Sequence, residues 1–258
     1  MGFWSYETTD KINYFFNKNH LVVILFSLVI IVFFSMYACR KSFKFQKTFV
    51  LILFLLTLVL QALRILWRYK FLEYTGEQIT FLKVAEPSFF LLSYAISIPL
   101  ILLTLMKKKT EKDKSFGLSF VYNVATLNGI ISIIYPSFLN ENFEIYHFCN
   151  LSSVLVRCFV ITIGFTIALS HWIPLGEYLN LYRALFSLLF FGIICAILGF
   201  VLKGDNLFYY EYCPIFEMLG LKIVFPFQYI VLGVFMFMFQ CLMYMPWQIR
   251  RRKEEKRS

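Results

Sequence analysis

Long apolar runs separated by short polar connections set the pattern of this chain. Seven runs stand out: Leu21–Ala38, Phe49–Leu66, Leu82–Met106, Phe116–Tyr135, Leu151–Ser170, Leu181–Leu202 and Val224–Pro246. Each is long enough, or nearly so, for a helix to cross a hydrocarbon core, which takes about 20 residues. A helix satisfies its backbone polar groups internally, as hydrocarbon demands. The pattern therefore predicts an all-α polytopic membrane protein, a bundle of about seven transmembrane helices forming a single transmembrane domain over residues 1–258. A short amphiphilic head (Met1–His20) precedes the first run, and a basic tail (250–258) follows the last. No period of 20–50 residues repeats, which excludes a solenoid.

Orientation follows from the basic residues between runs. Cys39–Thr48, Lys107–Ser115, His171–Asn180 and the tail from Arg250 fall on one side and together carry fifteen Lys and Arg; the connections on the other side carry seven. Basic loops stay in the cytoplasm, so the N-terminus is expected outside and the C-terminus inside. A missed or re-entrant span would reverse this. The fourth run, with Asn123, Asn128 and Gly129, is the most interrupted.

Composition narrows the class. The chain is 60% hydrophobic and 16% charged, with a mean hydropathy of +0.70. Those values lie outside the range of water-soluble domains. A net charge of +10 raises the question of nucleic acid, but the basic residues sit in short clusters between apolar runs, so no nucleic-acid partner is expected. The six cysteines form no CxxC pair and no metal-ligand spacing; Cys149 and Cys213 both fall near the outer face, where a disulfide is possible but is not the favoured reading. Met-Tyr-Ala-Cys ending at Cys39 faintly resembles a lipoprotein cleavage site, but the flanking charges favour an uncleaved first span.

The candidate chemistry gathers at the outer ends of the runs. His147, Asn150 and Arg157 stand at i, i+3 and i+10, a spacing that places them on one helix face. An arginine inside a membrane helix is expensive and should face protein and hold a partner. Glu86, followed at once by Pro87, opens the third run at comparable depth, so a Glu86–Arg157 pair is expected. Arg64 and Arg68 close the second run, Asn128 lies midway in the fourth, and Asn206 follows the sixth. Arg157, Glu86, His147, Asn150, Asn128 and Asn206 form the candidate ligand-binding set. Each also has a plainer reading, as a polar residue that fixes helix packing.

Missing patterns exclude several activities. There is no GxxxxGK[ST] loop, no HExxH, no GxSxG elbow and no span of regularly spaced arginines. No cofactor or metal is called for, and no catalytic residue is assigned.

Two stretches, Thr126–Phe148 with its Tyr135-Pro136 and His147-Phe148, and Gly204–Ile230 with the later Tyr244–Trp247, resemble the YwaF-like family of small bacterial integral membrane proteins, which is similar to a eukaryotic multi-pass cysteine acyltransferase of phospholipids. The first is Thr126–Phe148, where Tyr135-Pro136 and His147-Phe148 hold the positions of the family's Thr-Pro turn and Pro-His-Phe. The second is Gly204–Ile230, with Gly204, Asn206, Phe208, Pro214, Leu219-Gly220 and Pro226 in the family's order, closed by Tyr244–Trp247. Two departures bear on activity. Arg157 stands where the family has a second histidine, and Glu86-Pro87-Ser88 occupies the region of its His- and Cys-bearing segment. A thiolate nucleophile needs a base beside it, and the family's pair is missing.

The resemblance implies a multi-pass protein of the cell membrane, bacterial and cytoplasmic by analogy. Its expected feature is an outward-facing polar cavity for a membrane lipid or small amphiphile, without catalysis. A lipid acyltransferase or hydrolase using Cys149, and a substrate-binding transporter subunit with a membrane-protein partner, are the alternatives.

Overall fold

The computed structural model describes residues 3–10, 12, 14, 17–106, 116–136, 139–173, 175, 178–202, 220, 222–223 and 227–255. Among these residues the secondary structure is helical, without strands. Seven helical segments are long and apolar enough to cross a membrane: Lys18–Cys39, Phe43–Thr75, Phe89–Met106, Gly117–Ile134, Phe148–Leu169, Asn180–Val201 and Phe227–Arg251. Each overlaps one of the seven predicted runs, including the interrupted fourth.

The chain divides into two compact units. One comprises Met1–Glu86 and Asn128–Ser170, the other Pro87–Leu127 and His171–Ser258. The first unit contains α1 (Lys18–Cys39), α2 (Phe43–Thr75), the short α3 (Phe81–Ala85), nearly all of α6 (Leu127–Ile134) and α7 (Phe148–Leu169). Its centre is α7, packed against both α1 and α2. Residues around the whole circumference of α7 are buried, among them the small Ser152, Ser153, Thr162, Gly164 and Ala168. Small side chains let neighbouring backbones approach closely, which is how helices associate when lipid is as apolar as they are.

Helix α1 shows the reverse of a water-soluble amphipathic pattern. It turns His20, Val23, Ser27, Ser35 and Ala38 inward and leaves Val22, Leu25, Val29 and Phe33 exposed. In hydrocarbon the polar groups belong inside. Asn17 caps its N-terminus, accepting from His20 N, and the His20 ring reaches the Ile133 carbonyl at 2.9 Å.

Helix α2 continues well past the predicted end at Leu66, to Thr75, where Gly76 takes the left-handed conformation at φ 70°. At 1.5 Å per residue its length is about 50 Å, more than the roughly 30 Å hydrocarbon core, so an end projects into the interface. Trp67 and Phe71 pack with Phe143, Phe148 and Cys149, and this burial carries the helix beyond its apolar run.

The third predicted run is not one helix. Helix α3 ends at Glu86, whose φ of 44° is left-handed, and α4 (Phe89–Met106) begins after Ser88. Pro87 explains the break, because a proline disfavours helical geometry at the residue before it. Ser88 restarts the helix by accepting from Leu91 N.

The second unit contains α4, α5 (Phe116–Phe120), a π-helical turn (Val121–Thr126), α8 (Tyr178–Val201) and α9 (Phe227–Glu255). The π turn packs against α4 and α8, and α8 against α9. Pro99 and Pro246 lie inside α4 and α9.

Candidate functional site

Gln61, Arg64 and Arg68 follow one another on α2 at steps of three and four, which aligns them on one face. The two guanidinium groups converge on a single carboxylate. Arg64 Nη2 donates to Glu86 Oε2 at 2.7 Å, and Arg68 Nη2 lies 2.6 Å from Oε1. Arg68 Nε also donates to the Lys83 carbonyl at 3.2 Å, tying α3 to α2. The left-handed turn at Glu86 is what swings its carboxylate back onto α2. Side-chain exposures of 13%, 18% and 32% for Arg64, Arg68 and Glu86 leave the group open on one side. Arg64 also interacts with the Cys149 thiol on α7. Cys149 is a free cysteine, and Cys213, its candidate disulfide partner, lies outside the described residues.

The pairing expected for Glu86 is therefore corrected: both of its oxygens go to Arg64 and Arg68. Arg157 lies eight positions beyond Cys149 on α7, about 12 Å deeper. It donates from Nη1 to the Ser153 carbonyl at 2.9 Å and from Nε to Ser132 Oγ at 3.0 Å. Ser132 in turn donates to the Gly129 carbonyl. Arg157 thus links α7 to α6, while Arg64 and Glu86 remain part of its electrostatic surroundings. Asn128, one turn before Ser132, is buried and its Nδ2 has no hydrogen-bond partner.

His147 is not on the helix face proposed for it. It is the N-cap of α7, with its ring outside the first turn. Nδ1 accepts from Cys149 N at 3.3 Å, and Nε2 lies 2.9 Å from the Ser5 carbonyl. A carbonyl can only accept, so the proton sits on Nε2 and the ring is neutral. Phe143 stacks on it at 4.3 Å and Trp67 meets it edge-on at 5.2 Å. Burial in this aromatic setting holds its pKa below the ordinary histidine value, against the opposing pull of the Ser5 carbonyl. Both nitrogens face backbone groups, so His147 is not directed as a base at the Cys149 sulfur.

Asn150 is also committed to structure. Its Oδ1 accepts from Asn140 N at 2.7 Å, and its Nδ2 reaches the carbonyls of Asn140, Phe143 and Glu144. Tyr14 donates to the same Phe143 carbonyl, and burial pushes its phenol up to about 12. The N-terminal head lies on this loop, with Thr9 N and Ile12 N donating to the carbonyls of Asn142 and Glu141, and Trp4 stacked on Phe148. Of the remaining candidates, Asn206 lies outside the described residues. Arg64 and Arg68 stand outside the candidate set that the sequence defines. The available signal was two arginines four apart at the end of an apolar run.

Seven apolar helices and a buried polar interior define the class: a multi-pass α-helical membrane protein. Comparison of the chain with protein-family models, with curated proteins and with solved structures finds no match.

Proposed function

We propose that this protein binds a membrane lipid or small amphiphile, with Arg64 and Arg68 holding its anionic headgroup beside Glu86 and without catalysis. The observation that supports this reading is the pair of partly exposed guanidinium groups sharing one carboxylate near the end of α2. Each guanidinium has more N–H donors than a shared carboxylate can accept, and its planar fork suits phosphate or carboxylate. Arg64 and Arg68 flank Leu66, where the apolar run of α2 ends, and the margin of the hydrocarbon core is where a headgroup lies. The apolar outer faces of α1 and α2, including Leu25, Val29, Leu55 and Val59, offer surface for an acyl chain. Resemblance to the YwaF-like family, on Tyr135-Pro136 and His147-Phe148, agrees with a lipid-directed role in a bacterial cell membrane. Engagement of both His147 nitrogens by backbone argues against the acyltransferase alternative.

The test is lipid analysis of protein purified gently from its own membrane. Wild type should retain one anionic lipid or amphiphile class, and an Arg64→Gln/Arg68→Gln variant of equal monodispersity should lose it. A mixed annular population unchanged by the substitutions would overturn the proposal and turn the search to solutes and transporter partners.

A further inference from the structure

The second unit holds a polar cluster that the headgroup site does not use. The π turn Val121–Thr126 makes wider turns than an α-helix, and Thr126 Oγ1 donates to the Val121 carbonyl five residues back. Within it lies Asn123, which is fully buried. Helix α9 approaches with Gln240 and Tyr244, one turn apart on a single face and buried as well. Tyr244 donates to Asn123 Oδ1 at 2.8 Å, and Gln240 Nε2 donates to the Asn123 carbonyl at 3.4 Å. The Tyr244 hydroxyl also lies 3.4 Å from the Asn180 carbonyl.

These bonds favour one orientation of each amide. Turning Gln240 over would set oxygen against the Asn123 carbonyl, and turning Asn123 over would leave the Tyr244 proton only the longer, 3.4 Å contact to the Asn180 carbonyl. In that arrangement Asn123 Nδ2 and Gln240 Oε1 have no hydrogen-bond partner. An unpaired amide donor and an unpaired amide acceptor on two residues in contact are costly in a buried membrane interior, where water cannot freely replace the bonds. The two atoms also state what would satisfy them. A bare cation cannot serve the N–H, and an anion cannot serve the oxygen. A neutral hydroxyl oxygen accepts from Nδ2 and donates to Oε1.

We propose that Asn123, Gln240 and Tyr244 form a buried site for one small neutral hydroxyl group, that of a water molecule or a small polyol. The π turn presents Asn123 to α9. This site is independent of the anionic headgroup site on α2.

X-ray radiolytic footprinting in ¹⁸O-water tests the proposal on the intact protein in lipid nanodiscs. Radicals formed at a bound hydroxyl mark the side chain beside it, so Tyr244 should be labelled although only 2% exposed. Tyr182, 71% exposed, and Tyr94, 2% exposed, give the upper and background references. Gln240→Met keeps the side-chain length but removes the acceptor, and labelling of Tyr244 should drop to the Tyr94 background. A fall in the Tyr244 to Tyr182 ratio on adding molar glycerol would identify a polyol site, and no change a water site. Tyr244 at background in wild type would overturn the proposal even if the variant failed to fold. Undiminished labelling in a folded Gln240→Met protein would do the same.

Discussion

His147 and Glu86 show how single residues acquire roles from their surroundings. His147 is held neutral, with a folded pKa below the ordinary value of about 6.5. The unfolded chain therefore takes up the proton first as pH falls. The stabilisation is fully present above about pH 6.5 and is lost as pH drops through the lower folded value. Thermal unfolding followed from about pH 8 to about pH 5 should show a steeper acid loss for wild type than for His147→Gln. Glu86 carries two opposing contributions, an ion pair and a left-handed backbone. Glu86→Gln should destabilise by about 1–2 kcal/mol, between the ranges for exposed and buried pairs. Glu86→Gly should be about 1 kcal/mol less destabilised than Glu86→Gln, because glycine adopts that conformation freely. Denaturant unfolding in detergent micelles measures both.

Among the elements, α7 and the loop before it depend on Asn150. Its single side chain closes four bonds across residues 140–144. Asn150→Asp keeps the acceptor for Asn140 N but turns a second oxygen toward three carbonyls. It should destabilise more than Asn150→Ala, which costs about 2–3 kcal/mol. Amide exchange over residues 139–147 should speed up in both variants and further in Asn150→Asp. The spacing of His147, Asn150 and Arg157 was legible in the sequence, but their separate purposes were not. Periodicity assumes a helix throughout, whereas α7 starts at Phe148 and leaves His147 as its cap. The end of α2 was equally hidden, since Arg68, Lys70 and Glu73 look like a connection until Trp67 and Phe71 find their aromatic partners.

For the whole molecule, the excess of basic residues on one set of connections argues for an outside N-terminus. Cysteine introduced at Glu141 in intact cells should react with an impermeant maleimide, and cysteine at Thr48 should not; the opposite pattern would reverse the orientation. The seven helices that can cross a membrane were readable from the sequence alone, because apolar length is a local property that hydrocarbon enforces on each segment separately. Pro87 stands in the sequence as well, but Leu82–Met106 reads there as a single run, and the break at Glu86 belongs to the structure. Tertiary structure alone decided the partners. The Arg64–Glu86–Arg68 cluster depends on a left-handed turn that brings α3 back to α2, and the Asn123–Tyr244 bond joins residues far apart in the chain. A polar residue in an apolar run announces that it must be satisfied. Which distant group satisfies it is decided when the helices pack.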